Sequence, residues 1–487
     1  MNRRTKIVAT LGPSSATYEI ITEVVRAGVD VARLNFSHGT HASHLDLIKN
    51  IRKVSKDIGK PIVILQDLQG PKLRVGKLPD DGVELTANEK IRLEIDSDGR
   101  KNDFVNGIQK TINLEIPNVL SYLEKGGSIL LDDGKLELKI LEIDKTGINA
   151  CVILGGKLFS SKGVNLPGAN LDIPGFTDKD KEDLLFGLKN GVNAIALSFV
   201  KTADDILCVK DFIKSNHEEK DFFVPIIAKL ELPQAIQNLE SILDAADGVM
   251  VARGDLGVET SPSEVPVIQK EIIKAANRKA KVVITATQML DSMVSNPRPT
   301  RAEASDVANA IWDGTDAAML SGETASGAFP VISVLMMDAI IRKAERSMEA
   351  WGHHFKSTIG EEPDDAFAIS IAARELAHER EVCSVAVFTQ SGRSALLQSK
   401  ARPAVPIIAF TPKMDTYGIL GLYWGVDPYL VPFSDSLEDM IQHVERTLLS
   451  LPDMKKGQKV VMISGFPIGA MRPTNLALLH TIGSLPD

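Results

Sequence analysis

Lys229 and Glu231 stand two residues apart in the stretch IIAKLE, directly after the apolar, β-rich run Val224–Ala228. That run reads as a buried strand, and side chains two residues apart in an extended chain project to one face of the sheet. Burying such a pair is unfavourable unless its geometry is good or something uses it. A divalent metal and an anionic substrate would use both charges, the carboxylate as a hard oxygen ligand and the ammonium as a counter-charge. An ion pair that caps a strand fits these two residues equally well, so the elements around them must decide.

Those elements repeat. Strand patterns at Lys6–Leu11, Val29–Leu34 and Pro61–Gln66 alternate with helical patterns at Ala16–Ala27 and His44–Lys56, the order of a parallel sheet covered by helices. From Pro71 to Gly168 the runs become short, alternating and turn-rich (VELTANEKIRLEI, GGSILLDDGKLELKILEI, GINACVILGG), which predicts an inserted antiparallel, barrel-like β domain over 71–168. The βα rhythm resumes with a helix at Thr177–Lys189, capped by Thr177. Strands follow at Ala194–Phe199, Phe223–Ala228, Gly248–Val251, Lys281–Thr285 and Ala317–Leu320, and Thr300 with Glu303 forms a capping box for a helix at Arg301–Trp312. Three strands before the insertion and five after it predict a (β/α)₈ barrel over 1–70 and 169–347. A helix at Pro330–Ser347 leads into a link at Trp351–Pro363. The remainder, within 348–487, carries helices at Asp365–His378, Arg393–Ala401 and Leu437–Leu451. Its strands fall at Val382–Phe388, Pro406–Phe410 and Gln458–Ser464, the pattern of a separate C-terminal α/β domain.

Chemistry on such a barrel lies at the carboxyl ends of its strands. Those ends hold Arg33 and Asn35 to His38, Asp67, Phe199, Lys229 with Glu231, Gly254 with Asp255, Thr287, and Ser321. Glu231 and Asp255, from neighbouring strands, suit a hard divalent metal with positions open to substrate oxygens. Lys229 and Arg33 add positive charge, and metal, lysine and arginine together are equipment for moving a phosphoryl group. Singly, each has a plainer reading: Asp255 or Thr287 as a helix cap, Asn35–Gly39 as a turn. Their convergence at one end of one barrel favours a site.

Composition narrows the class. With 487 residues, two to four domains are expected. A net charge of −9 argues against a nucleic-acid binder. The three cysteines, Cys151, Cys208 and Cys383, are too scattered for a disulfide framework or a thiolate metal site and are expected as small core residues in a reducing cytoplasm. No run is long enough to span a bilayer, and the amino terminus has no signal-peptide pattern, so a cytoplasmic protein is expected.

The motifs resemble those of the pyruvate kinase family through nearly the whole chain: KIVATLGPSS, ARLNFSHG, DLQGPKLR, KGVNLPG, AKLE, MVARGDLG, TATQML, NPRPTRAEASDVANA and MLSGETA, in the family's order. The resemblance implies transfer of the phosphoryl group of phosphoenolpyruvate to ADP, giving pyruvate and ATP. It implies Mg²⁺ (or Mn²⁺) on Glu231 and Asp255. The substrate carboxylate would lie on the amides of Gly254 and Asp255 and the hydroxyl of Thr287, and the phosphate on Arg33. Lys229 would stabilise the phosphoryl group in transfer and the enolate. Asn35, His38, Arg74 and Lys162 would serve the nucleotide, with the inserted domain closing over it as a lid. Thr287 and Ser321 could relay the proton the enolate must gain, with the donor unassigned.

Two departures matter. Many family members hold K⁺ on residues matching Asn35, Ser37, Asp67 and the carbonyl of Leu68, and carry a glutamate where this chain has Lys72; an ammonium there could replace the cation, so activity without K⁺ is expected. Leu232–Pro233 follows Glu231 where a polar residue is usual, and Pro233 suits a first helical turn. In the C-terminal domain, Ser391, Gly392, Arg393 and Ser394 lie at a strand-to-helix turn, where the family holds a sugar-phosphate or nucleotide effector; a plain Ser–Gly cap fits as well. The later SGFPIGAMRPTN departs from members that bind fructose bisphosphate, which leaves the effector open. The family is commonly tetrameric. Two other functions compete: a phosphoenolpyruvate/pyruvate-type aldolase on the same fold, and a catalytically idle metabolite sensor. Arg74 and Lys162 on the inserted domain argue against the first, and intact Lys229, Glu231 and Asp255 against the second.

Overall fold

The protein is seen here as a computed structural model that describes residues 3–71, 73–95, 105–106, 110–115, 119–169, 174–217, 222–348, 365–470 and 472–484. The expected link at Trp351–Pro363 and Lys72 lie outside the described residues.

Eight parallel strands close into a barrel: Lys6–Thr10, Val31–Asn35, Val63–Asp67, Ala194–Leu197, Ile226–Leu230, Gly248–Ala252, Val282–Ala286 and Ala317–Leu320. The first strand pairs with the last, Lys6 opposite Ala317. Both faces of each strand are covered, so nearly every strand residue is buried, which is why these strands read as continuous apolar runs. The fifth strand begins and ends later than Val224–Ala228, at Ile226–Leu230, because Pro225 has no N–H to give the ladder. Lys229 is therefore inside the strand, and Glu231 is the first residue beyond it. Thr177 and Thr300 cap their helices as expected, each with a reciprocal capping box.

Between the third and fourth strands lies a second sheet with its own apolar core. It is largely antiparallel, but Lys90–Ile95 and Lys110–Glu115 run parallel, a correction to the all-antiparallel expectation. Only a single 3₁₀ turn, Leu120–Tyr122, interrupts its strands among the described residues.

The C-terminal domain carries a five-stranded sheet. Two of its strands, Val426–Leu430 and Leu476–Thr481, and the helix Met414–Leu420 were not anticipated. This domain seals the amino-terminal end of the barrel. Inward barrel residues such as Val63, Ile227 and Met319 share one apolar cluster with Leu420, Leu422 and Val385. At the seam, the Lys400 ammonium lies between Asp316 and Asn277 of the barrel, Arg402 adds a second bond to Asp316 at 2.7 Å, and Lys6 donates to the carbonyl of Val426 at 2.8 Å.

The cysteines are free, but they are not core residues: Cys208 is exposed on the outer face of its helix, and Cys151 and Cys383 are half-buried. No helix among the described residues is long and apolar enough to cross a membrane.

Candidate active site

At the carboxyl end of the barrel the strand register sets Thr10 beside Arg33 and Asn35 beside Asp67. From this follows a buried chain of charges. Thr10 accepts from Arg33 Nη1 at 2.9 Å, and Arg33 Nε donates to Asp67 Oδ2 at 2.6 Å. Lys229 Nζ then lies 3.3 Å from Asp67 Oδ1 and 2.9 Å from Glu231 Oε1. The third ammonium bond goes to Ser198 Oγ at 2.7 Å, and the Ser198 hydroxyl donates to the carbonyl of Leu68 at 2.6 Å. Ser198 had no part in the sequence-based site; a hydroxyl at the end of the fourth strand is a weak signal by itself.

The far oxygen of Glu231 accepts from the amide of Phe199 at 2.7 Å, a residue in the left-handed region with φ 54°. Burial alone would push the Lys229 ammonium down, but Asp67 and Glu231 outweigh it and hold it well above its ordinary range. For Asp67, burial is opposed and outweighed by Arg33 and Lys229, which keep its carboxyl low. Burial pushes the Glu231 carboxyl up, Lys229 holds it back, and nearby Asp255 adds to the rise. Two cations thus face three carboxylates, and the unbalanced negative charge lies where Glu231 and Asp255 approach each other.

Asp255 sits in the first turn of the short helix Arg253–Glu259, half-buried and, among the described residues, without a hydrogen bond or ion pair of its own. Asp255 and Glu231 offer only oxygen donors, and the negative charge by which one acts on the other fits a hard divalent cation. Among the described residues no group of three His, Cys, Asp or Glu side chains is placed to hold a metal ion, so further ligands would have to come from substrate or water.

Thr287 does not start a helix. Thr287 and Gln288 both adopt left-handed backbone, φ 65° and 55°, a strained conformation for a β-branched residue. The strain is held from the neighbouring strand end. Arg253 Nη2 donates to the carbonyl of Thr287 at 2.7 Å, and the amide of Gly254 donates to its hydroxyl at 2.8 Å. That hydroxyl donates in turn to the carbonyl of Ala286 at 2.6 Å. Arg253, itself fixed by Asp306 at 2.6 Å, is a positioning residue that the sequence reading passed over. The Gly254 amide, expected on a substrate carboxylate, is here engaged by Thr287. Ser321 Oγ is buried without a hydrogen-bond partner, while Glu323 receives the amides of Ser321 and Leu290 at 2.7 and 3.0 Å.

The residues expected on the nucleotide are spread around the rim. Asn35 Oδ1 accepts from the amide of Ser37 at 3.1 Å, and His38 is exposed. Arg74 donates to the carbonyl of Ser161 at 2.9 Å, and Lys162 pairs with Asp132 at 2.9 Å, all within the inserted sheet. Between that sheet and the barrel lies a cavity of ≈ 400 Å³ lined by Asp255, Phe199, Lys201, Glu259, Asn165 and Asp133. In the C-terminal domain, Ser391, Arg393 and Ser394 line a second cavity of ≈ 280 Å³ with Arg472 and Thr474, and Gly392 takes φ 85° at the head of the helix Arg393–Ala401.

Two family models match the chain: one described as "Pyruvate kinase, barrel domain" over residues 2–334, the other as "Pyruvate kinase, alpha/beta domain" over residues 367–480. The chain belongs to the pyruvate kinase family. The pyruvate kinase of Agrobacterium vitis is 42% identical over 97% of this chain and 97% of its own length. That of Corynebacterium glutamicum is 41% identical over 99% and 98%. The pyruvate kinase of Sporosarcina psychrophila is 40% identical over 99% of this chain and 81% of its own longer length. In this chain Glu231, Asp255, Lys229 and Thr287 all stand at one barrel mouth.

Proposed function

We infer that the chain performs its family's reaction, transferring the phosphoryl group of phosphoenolpyruvate to ADP to give pyruvate and ATP. Nothing in the fold or the comparisons favours an aldolase or an idle sensor. The observation that carries the residue assignment is the Lys229 ammonium, held charged between Asp67 and Glu231 beside Asp255.

In the reaction, a terminal phosphate oxygen of ADP attacks phosphorus, the bond from phosphorus to the enol oxygen breaks, and the enolate takes a proton at carbon. Negative charge builds on the equatorial oxygens and then on the enolate. Lys229, held by three acceptors, presents a fixed positive charge to that site, and turning one N–H from an acceptor to the substrate would bond the developing charge directly. Arg33, aligned by Asp67 and Thr10, would receive the phosphate. Glu231 and Asp255 would hold Mg²⁺ or Mn²⁺, which when bound supplies Lewis-acid charge to substrate oxygens. Gly254, Asp255 and Thr287 would orient the substrate carboxylate, which requires the Gly254 amide to turn from the Thr287 hydroxyl to the ligand. The unsatisfied Ser321 hydroxyl would hold a water that, with Thr287, relays the proton. Asn35, His38, Arg74 and Lys162 would take the nucleotide as the inserted sheet closes and excludes water. Asn35, Ser37, Asp67 and Leu68 match the family's K⁺ set, and Lys72 is proposed to make K⁺ unnecessary.

Ser391, Gly392, Arg393 and Ser394 are proposed to hold a sugar-phosphate or nucleotide effector. A homotetramer working in the cytoplasm is the proposed setting. The decisive experiment is pyruvate formation from phosphoenolpyruvate, with and without ADP, under Mg²⁺ titration. Pyruvate only when ADP and metal are both present supports the reading; ADP-independent turnover, or none, refutes it.

A further inference from the structure

Opposite the active site, where the C-terminal domain meets the amino-terminal end of the barrel, lies a cavity of ≈ 450 Å³. Its apolar walls come from both sides of the seam: Phe223 and Ile227 from the barrel, Phe367, Leu396 and Leu422 from the C-terminal domain. Two polar groups stand in this apolar setting. Tyr423 is only 6% exposed, yet among the described residues its hydroxyl makes no hydrogen bond. Lys281 is half-buried and donates to the carbonyl of Ala246 at 2.7 Å, leaving two N–H groups and no carboxylate bonded to them. Arg278 and Arg393 stand at the same walls. The acidic lining residue, Asp247, is already compensated by Lys210 at 3.1 Å and by the amide of Ile226 at 3.0 Å.

The Tyr423 hydroxyl thus has no partner among the described residues where its ring lines the cavity, and burial presses down on the Lys281 ammonium against the pull of Asp247. One ligand class relieves both at once while covering the apolar walls. We propose that this seam cavity is a binding site for a small amphipathic anion, an aromatic carboxylate or sulfonate, with its head on Lys281 and Tyr423 and its body against Phe367 and Leu396. The site is separate from the ≈ 280 Å³ cavity of the C-terminal domain, although Ser391 and Arg393 border both. Its floor is the amino ends of the fifth, sixth and seventh barrel strands, whose carboxyl ends deliver Lys229, Asp255 and Thr287.

The test uses anilinonaphthalene sulfonate on the full chain, followed by fluorescence and calorimetry. Saturable one-site binding is expected. Lys281→Met should weaken it by ~10–100-fold and Tyr423→Phe by about threefold to tenfold, the range of a charged and a neutral hydrogen bond. Leu396→Trp should abolish it by filling the cavity, and also serves should Lys281→Met not fold. Arg472→Ala, on the other cavity, should leave it unchanged. Absence of saturable binding to the wild type overturns the proposal, as does binding that Lys281→Met, Tyr423→Phe and Leu396→Trp all leave intact.

Discussion

The side-chain amide of Asn165, on the inserted sheet, donates to Glu259 Oε1 of the barrel at 2.7 Å. Glu259 ends the same short helix whose first turn carries Asp255. One hydrogen bond therefore ties the expected lid to the expected metal-bearing element. A bond to a charged group contributes about 1.5–3 kcal/mol, enough to bias a lid between two positions. Asn165→Ala should open it: scattering should report a larger radius of gyration, and kcat should fall severalfold with the melting temperature little changed. An unaltered radius and unaltered kcat would remove the latch role.

Lys229→Met should lower kcat by ~10²–10³-fold, the scale of one lost preorganised charge, while substrate half-saturation changes far less. It also leaves Asp67 and Glu231 buried beside one cation fewer, which costs about 3–5 kcal/mol when a buried pair is broken. Thermal melts should show that loss, and assays below the transition separate it from chemistry. Full ATP formation by the variant would refute the assigned role.

Turnover in buffer free of K⁺ and Na⁺ should not rise when KCl is added. On the proposed role of Asn35, Ser37, Asp67 and Leu68 as a K⁺ set, Lys72→Glu should create a requirement for K⁺. Negligible activity in the wild type until KCl is supplied would contradict the role given to Lys72.

The seam between barrel and C-terminal domain should respond to alkali. Burial pushes the Lys400 ammonium down to about 8, with Asp316 opposing and Arg402 adding to the fall. In the unfolded chain it would titrate near 10.5. Between these values the unfolded chain binds more protons, so stability rises with pH. Above the unfolded value the contribution is complete, and it is lost as pH falls toward 8. Measured by denaturant unfolding, the wild type should gain on Lys400→Met by up to about 3 kcal/mol between pH 8 and 10.5. A pH-independent difference between the two proteins would exclude this titration.

Much of the barrel was legible because its strands are buried on both faces and announce themselves as short apolar runs between amphipathic helices. The two missed C-terminal strands are the edges of their sheet. One, VDPYL, contains a proline and only one buried position, Val426, and an edge strand tolerates both. In the site, Lys229, Glu231, Asp255, Arg33 and Asp67 could be found because charge at a strand end is anomalous. Ser198 and Arg253 could not: one is a common hydroxyl, the other a lone arginine beside Gly254 and Asp255, and both act only through contacts that the third dimension creates. The left-handed backbone at Thr287 is likewise imposed by Arg253 and Gly254, not by local propensity. Cys208 erred in the other direction, since a small apolar residue on a helix carries no mark of which face it will take.

Leu420, Leu422 and Tyr423 are packed into the lower mouth of the barrel, and a side chain at Gly421 would come within 3.1 Å of Val63. The last domain is thus the floor of the catalytic vessel, not an appendage hung beside it. A gene shortened after the helix Pro330–Arg346 would leave that floor missing and the lower rim wetted, so the two parts should melt together as a single unit and the truncated barrel should aggregate when expressed by itself.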